Sequence, residues 1–255
     1  MKTKKMKFKQ TEVINFCDKA IIFSLYGVAF FLPISKAIIE VFIYISIAAF
    51  LLKKLLAKED VVRSPINIPV TAYFFISFFS IFFSSNPGIS SSSFLGKILQ
   101  NIAFFFVVVD VLNSERRLKN IIYILFCSSL LLGIDGIFQY FTHRDFLRLR
   151  KDLMIPRIYA SFGTPNDFAC YLITVIPFII SLFFLKTNSR KYRLFTGGLF
   201  LLLFICLLLT VSRGAWFAFL GLILFISLWI PQLWVLIFSI AVFIAVTIVF
   251  FPPYV

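Results

Sequence analysis

Residues 194–230 read LFTGGLFLLLFICLLLTVSRGAWFAFLGLILFISLWI, and this stretch decides the fold. Arg213 is its single charged residue, and the apolar run on each side has the length of about 17–25 residues that crosses a hydrocarbon core as a helix. The whole chain has the same character, since 61% of its 255 residues are hydrophobic and its mean hydropathy is +1.00. An ordinary soluble domain is only about half apolar. We therefore predict an all-α protein, a polytopic transmembrane helical bundle.

Apolar runs of this length recur along the chain and predict about nine membrane spans within a single transmembrane domain, residues 1–255. Between two of them, the Asn-Pro-Gly sequence in SSNPGISSSS predicts a polar turn at residues 84–93. The longest polar connection is an external basic loop, residues 141–165. The basic start of the chain lacks a small-residue cleavage site, so we expect the first span to stay uncleaved. The predicted spans are residues 20–34, 37–52, 66–84, 95–112, 121–140, 168–185, 194–211, 214–230 and 233–251.

Lysine and arginine are distributed unevenly between alternate loops, which predicts the orientation of the chain. Most of the 25 basic residues belong to the N-terminus and to the loops at residues 53–63, 113–120 and 186–193. Cytoplasmic loops contain the excess of Lys and Arg, so we predict a cytoplasmic N-terminus. The net charge of +14 thus arises from loops between spans and does not indicate a nucleic-acid partner. Arg157 and Arg213 are then expected on the outer side.

The external loop is basic although it is predicted on the translocated side, which opposes the usual bias. Arg144, Arg148 and Lys151 recur at helical spacing, so one interpretation is a short interfacial helix whose basic residues meet lipid phosphates. The other, compatible with it, is a basic entrance that concentrates an anionic, membrane-borne substrate. His143, the single histidine, has no nucleophile or set of metal ligands beside it in the sequence. We expect it to line the loop without a catalytic role.

Arg157 and Arg213 are the strongest candidates for a functional site, because a charge at membrane depth needs a partner. A guanidinium offers a rigid fork of donors that fits phosphate or carboxylate. Arg213 alone also fits a snorkelling anchor at a helix end. The sequence leaves open whether Asp135, inside a predicted span, pairs with either arginine. Neighbouring residues have predicted roles of their own: Thr164 or Asn166 caps the following helix, Asp167 lies in its first turn, and Ser212 and Gly214 allow close backbone approach.

The segments RIYASFGTPNDFACYL (residues 157–172) and LLLTVSRGAWFAFL (residues 207–220) together resemble the O-antigen ligase family, which includes related polysaccharide polymerases and protein O-glycosylating ligases. The resemblance implies a glycosyltransferase of the bacterial inner membrane that needs neither metal nor cofactor and has a periplasmic active face. Such enzymes transfer a glycan from undecaprenyl diphosphate to an acceptor, which is lipid A-core, a polysaccharide or a protein. The resemblance assigns Arg157 and Arg213 to the donor diphosphate. As supporting residues we place Asn166, Ser212, Arg148 and Lys151.

Members of this family are usually longer, and the resemblance places a catalytic histidine in an external loop beyond Val255. The chain then corresponds to the N-terminal part of the family architecture, and we expect no catalytic residue and little transferase activity within these 255 residues alone. Two other functions also fit the sequence. One is a flippase-like carrier for a lipid-linked glycan or another anionic solute, which predicts paired charges deep in several helices and symmetry between halves. The other is a non-catalytic membrane assembly subunit.

Overall fold

The computed structural model describes residues 2–58, 65–150, 157–183 and 189–227. Within these ranges the chain forms helices and no strands, as the sequence predicts. Contacts between residues divide the chain into two compact units, Met1–Leu125 and Phe126–Val255. Helix α6, Glu115–Thr142, begins in the first unit and continues in the second. The predicted single transmembrane domain stays a prediction.

The first unit consists of long apolar helices that pack around a small core. A tight turn connects α1 (Lys2–Phe31) to α2 (Lys36–Ala57), and in it the Ile34 N–H donates to the Phe31 carbonyl at 2.8 Å. Gly27 permits a close approach there, because a Cβ at this position would lie 2.6 Å from the Phe42 ring. The core of the unit comprises Ile21, Leu25, Phe50, Val107 and Val111. Its helices are α1 (Lys2–Phe31), α2 (Lys36–Ala57), α3 (Asn67–Ser80), α4 (Pro87–Ser93) and α5 (Gln100–Val111).

The second unit packs three further helices with the second half of α6. These helices are α7 (Pro165–Phe183), α8 (Arg190–Leu209) and α9 (Arg213–Ser227). Glycines on α6 make room for the side chains that pack against it. A Cβ at Gly133 would lie 2.8 Å from Leu202, and one at Gly136 would lie 3.2 Å from Ile158. The buried hydroxyls of Ser129 and Tyr171 share a hydrogen bond of 2.8 Å.

Five helical segments among the described residues are long and apolar enough to cross a membrane: Gln10–Phe31, Pro87–Val111, Glu115–Thr142, Pro165–Phe183 and Arg190–Leu209. Two apolar helices, Asn67–Phe83 and Arg213–Phe225, are shorter. The helical membrane class is therefore supported, whereas nine spans and a cytoplasmic N-terminus stay predictions. The ninth predicted span, residues 233–251, lies outside the described residues.

The predicted polar turn at residues 84–93 is wrong for most of its length. Helix α4 starts at Pro87, where the missing N–H and the fixed φ of proline suit the first position of a helix. From there the chain stays helical to Val111, through a short stretch of π-helix at Phe94–Leu99. The Asn-Pro-Gly sequence thus begins a helix and does not separate two spans by a longer turn.

The predicted short helix in the basic loop is also wrong for the residues that the structure describes. Residues 143–150 are not helical, and both His143 and Leu149 have a φ of 55°. The side chain of Asp145 accepts the backbone N–H groups of Arg148 and Arg150, at 2.9 and 3.2 Å. Such local bonds compete with helical ones, which is the physical reason for the irregular path. Lys151 lies outside the described residues.

Candidate functional site

The connection between α8 and α9 is a tight turn that places Arg213 at the start of a helix. Thr210 organises this turn, because its hydroxyl donates to the Leu207 carbonyl at 2.7 Å and accepts the Ser212 N–H at 3.3 Å. Val211 adopts a left-handed conformation with a φ of 50°. The Ser212 carbonyl then accepts the first helical N–H, from Trp216, at 3.1 Å. The VSRG sequence is therefore a helix break whose two sides stay close together.

Helix α7 begins beside a second turn, and Thr164 is its cap. The Thr164 hydroxyl accepts the Asp167 N–H at 3.2 Å and donates to the carboxylate of the same residue at 2.8 Å. Of the two predicted caps, the structure thus selects Thr164. The side chain of Asn166 is left to make other contacts.

Arg157, Asn166 and Ser212 meet, which joins the two sequence motifs. The Arg157 Nη2 donates to the Asn166 Oδ1 at 3.2 Å, and the Ser212 hydroxyl donates to the same oxygen at 3.1 Å. The Arg157 Nε donates to the carbonyl of Thr210 at 2.8 Å. Next to it, the Ile158 N–H donates to the Leu209 carbonyl at 3.1 Å. Segments more than forty residues apart in the sequence are therefore held side by side at the break between α8 and α9.

Neither Arg157 nor Arg213 forms an ion pair with an acidic residue within the described ranges. Arg157 is half-buried, and its contacts there use two of its five N–H groups. Arg213 is exposed at the first position of α9, next to the buried Ser212. A helix N-terminus adds partial positive charge from its unpaired N–H groups. We call Arg157, Asn166, Ser212 and Arg213 the arginine site.

Two polar side chains of α6 hold the loop that leads to the arginine site. Asp135, which the sequence left as a possible partner of an arginine, accepts the backbone N–H of Phe146 at 2.8 Å. One turn later, the Gln139 Oε1 accepts the N–H groups of Tyr159 and Ala160 at 2.8 and 2.7 Å. Both side chains are buried. They fix the start of the loop and its return, immediately after Arg157.

Arg150 ties the same two parts of the loop together, and sequence reasoning missed it. Its Nε donates to the buried carboxylate of Asp145 at 2.6 Å. Its terminal nitrogens donate to the carbonyls of Phe162 and Ala160 at 2.9 and 2.5 Å, and the guanidinium lies 4.9 Å from the Tyr159 ring centroid. Four contacting groups leave this arginine little capacity for a ligand. The sequence offers no signal that separates it from its basic neighbours.

The remaining predicted residues belong to other elements. Arg148 lies in the described part of the loop, with an exposed side chain and a backbone N–H that donates to Asp145. His143 is exposed just after α6, where its N–H donates to the Gln139 carbonyl at 2.9 Å. The supporting roles assigned to Arg148 and Lys151 stay predictions.

No protein-family model matches this chain, and comparisons with curated proteins and with solved structures likewise found no match. The resemblance to O-antigen ligases therefore rests on the two sequence motifs.

Proposed function

We propose that the protein is a membrane glycosyltransferase of the O-antigen ligase type. In this proposal Arg157 and Arg213 bind the diphosphate of an undecaprenyl-diphosphate-linked glycan, the donor substrate. The observation that supports it most is the shared acceptor Asn166 Oδ1, which receives hydrogen bonds from both Arg157 and Ser212. This oxygen joins the two sequence motifs, residues 157–172 and 207–220, that carry the resemblance.

A diphosphate suits the arginine site in charge and in the donors that it can use. Arg157 is held in place by the Thr210 carbonyl and by Asn166, so its remaining N–H groups have a fixed direction. Guanidinium donors form short, charge-assisted bonds to phosphate oxygens. The N-terminus of α9 contributes further N–H groups and a favourable dipole. A carboxylate ligand satisfies the same donors, but its single negative charge leaves one of the two arginines uncompensated.

The proposed reaction is a displacement at the anomeric carbon of the glycan. The acceptor hydroxyl oxygen forms a bond to this carbon, and the bond from the carbon to the diphosphate oxygen breaks. The bonding electron pair leaves with the diphosphate, whose negative charge increases. Fixed arginines stabilise that developing charge. The hydroxyl proton passes to a base, a role that the family resemblance gives to a histidine.

The test is a binding titration of the full chain, purified in lipid nanodiscs, with undecaprenyl diphosphate. Arg157→Lys and Arg213→Lys keep a positive charge but lose the fork of donors. Each should weaken binding by about tenfold, the effect of one lost hydrogen bond to a charged group. Arg190→Lys is the matched control, since Arg190 is an exposed arginine at the first position of another helix, α8. Wild-type affinity in both arginine-site variants would refute the proposal.

A flippase-like carrier is the second candidate, and one observation favours it. Lysines and aspartates form a mostly buried network in the first unit, in which Lys53 contacts Asp18 and Lys54 contacts Asp110. Paired charges of this kind are expected in carriers. However, Lys54 lies in the last turn of α2 and Asp110 is next to the last residue of α5, so these charges are close to helix ends.

Vesicles distinguish the carrier from the transferase. The chain would be reconstituted with a fluorescent polyprenyl-diphosphate lipid, and its movement between leaflets would be followed by a membrane-impermeant quencher. If the protein is a transferase, the lipid should move between leaflets at the same rate as in vesicles without protein. A rate that rises with protein content and falls in Lys54→Met would favour the carrier.

A further inference from the structure

The start of the loop after α6 folds back along the helix that precedes it. We call residues 143–150 the re-entrant loop. The Phe146 N–H donates to the Asp135 carboxylate at 2.8 Å, and Asp135 lies seven residues before Thr142, the last residue of α6. Seven helical residues measure about 10 Å. The loop therefore returns about 10 Å along α6 towards its middle.

This return brings the loop to the depth of the lipid boundary. Helix α6 is one of the five segments that can cross a membrane, and its 28 residues measure about 42 Å. A hydrocarbon core is only about 30 Å thick, so a spanning helix of this length extends beyond it and ends near a lipid boundary. A loop that follows Thr142 and returns towards Asp135 then lies at the boundary between headgroups and acyl chains.

Several backbone N–H groups of the re-entrant loop have partners within the protein. Irregular backbone is tolerated near hydrocarbon only where its N–H and C=O groups have partners. Asp145 accepts the N–H groups of Arg148 and Arg150 with one carboxylate oxygen, and its own N–H donates to the Arg150 carbonyl at 3.2 Å. Its other carboxylate oxygen accepts the Arg150 Nε at 2.6 Å. The Asp145 charge is buried and paired.

The outer surface of this region combines apolar and basic side chains. Phe141 and Leu149 are 75% and 77% exposed, and Phe146 is 37% exposed. Leu149 is held outward at a φ of 55°, a conformation that a leucine adopts only when its surroundings impose it. Arg144 and Arg148 are exposed between these apolar residues. Segments that lie in a membrane interface typically combine large apolar residues with basic residues.

We propose that the re-entrant loop is a membrane-binding element. Phe141 and Leu149 insert into the acyl boundary of the surrounding bilayer, while Arg144 and Arg148 contact the phosphates of anionic phospholipids. Charge complementarity identifies the occupant, because two arginines beside an apolar surface match an anionic lipid headgroup above its acyl chains. The arginine site proposed above lies outside the re-entrant loop, and Arg148, predicted from the sequence as a supporting residue of that site, is here assigned to lipid phosphate.

Depth-dependent quenching tests the insertion. The full chain with Leu149→Trp is reconstituted in vesicles of phosphatidylcholine and phosphatidylglycerol, and the signal of the wild type, which has 3 Trp, is subtracted. Bromine near the headgroup should quench this tryptophan more strongly than bromine near the chain end. Leu131→Trp is the matched control, since Leu131 is an exposed leucine near the middle of the same helix, and it should show the reverse order. Absence of quenching at position 149 by both lipids would overturn the proposal and favour a protein partner.

A second measurement tests the arginines. Quenching of Leu149→Trp by brominated phosphatidylglycerol, relative to brominated phosphatidylcholine, reports the preference for anionic lipid. In Arg144→Gln/Arg148→Gln this preference should fall by about fivefold per arginine. Arg190→Gln/Arg193→Gln, exposed arginines on α8, should not change it. An unchanged preference in the loop variant would show that the basic residues do not bind lipid phosphate. Because no polyprenyl diphosphate is present, Arg157→Lys should have no effect, so this result is separate from that of the donor titration.

Discussion

The two units each contain a cluster of cationic side chains, and the clusters differ in whether their charges are balanced. In the first unit, Lys53 contacts Asp18 at 2.8 Å and Lys54 contacts Asp110 at 2.8 Å, while Lys53 and Asp110 are 4.0 Å apart. We call these four residues the lysine–aspartate network. In the arginine site, Arg157 is bound by neutral oxygens of Thr210 and Asn166. Among the described residues, no carboxylate lies within ion-pair distance of it.

This difference predicts a structural role for the lysine–aspartate network and a binding role for the arginine site. A balanced network needs no further ion, and it joins α1, α2 and α5 at a fixed register. An unbalanced cation held in place by neutral groups keeps its attraction for an anion. The neutral groups orient the guanidinium without neutralising it, which is what a binding site for a diphosphate requires. The comparison therefore predicts that stability depends on the first cluster and ligand binding on the second.

The largest effect is expected from Asp110→Ala in the lysine–aspartate network. The variant removes the Asp110 carboxylate that Lys54, whose side chain is only 13% exposed, contacts at 2.8 Å. Removing one partner of a buried ion pair costs about 3–5 kcal/mol. Unfolding of the purified chain in mixed micelles of increasing denaturing detergent measures this loss.

Glu40→Ala is the matched control for that variant. Lys36 and Glu40 form an ion pair of 3.9 Å whose side chains are 87% and 49% exposed. Exposed pairs contribute little to stability, so the unfolding midpoint should stay that of the wild type. If Asp110→Ala also unfolds at the wild-type midpoint, the network is not structural and the contrast between the two clusters fails.

Ligand-dependent stability is the second test of the contrast. Undecaprenyl diphosphate at about one hundred times its dissociation constant should stabilise the wild type by about 2.7 kcal/mol. Arg213→Ala should fold as stably as the wild type without ligand, because the Arg213 side chain is exposed and makes no ion pair in the described part of the chain. The same ligand concentration should raise the free energy of unfolding of Arg213→Ala by much less than about 2.7 kcal/mol. Equal stabilisation of both proteins would remove Arg213 from the site.

The sequence predicts the class of fold and the residues of the arginine site, but not the contacts between them. Long apolar runs identify membrane helices because hydrocarbon demands them. Arg157 and Arg213 are conspicuous for the same reason. That Asn166 joins the two motifs depends on how α7 packs beside the turn between α8 and α9, and no local pattern encodes this packing.

The two predictions that are wrong, the polar turn and the loop helix, concern residue types that occur in more than one kind of structure. Pro87 is expected in turns, yet proline also suits the first position of a helix, and the longer apolar segment decides in favour of the helix. The basic residues of the loop look alike by count and spacing. Arg150 differs from Arg144 because Asp145 and the carbonyls of Phe162 and Ala160 are positioned to bind it, which a single sequence does not reveal.

The third prediction concerns Gln139, which positions the loop beside the arginine site. Gln139→Ala removes the single oxygen that accepts the buried N–H groups of Tyr159 and Ala160. Leaving such donors without a partner should cost about 2 kcal/mol in the free energy of unfolding. Because Tyr159 follows Arg157 closely, diphosphate binding should weaken as well.

Gln139→Glu is the control that separates the two effects, because it keeps an acceptor oxygen at the same place. It should retain more of the stability and more of the binding than Gln139→Ala. If Gln139→Ala loses stability but binds undecaprenyl diphosphate like the wild type, the loop does not orient Arg157, and the arginine site is organised by Asn166 and Thr210 alone.

The smallest effect is expected from Ser212→Ala, which tests whether Asn166 needs both of its donors. The variant removes the hydrogen bond of 3.1 Å to the Asn166 Oδ1 but leaves that of Arg157. Stability should fall by about 1 kcal/mol or less, the value of one neutral hydrogen bond.

Ser91→Ala is the matched control. It removes a hydroxyl hydrogen bond to the Gly88 carbonyl on an exposed part of α4 and should leave the affinity for undecaprenyl diphosphate unchanged. If Ser212→Ala binds undecaprenyl diphosphate more weakly and Ser91→Ala does not, Asn166 needs the hydrogen bond from Ser212 to orient Arg157. Equal affinity in the two variants would assign that orientation to the Thr210 carbonyl, which accepts the Arg157 Nε.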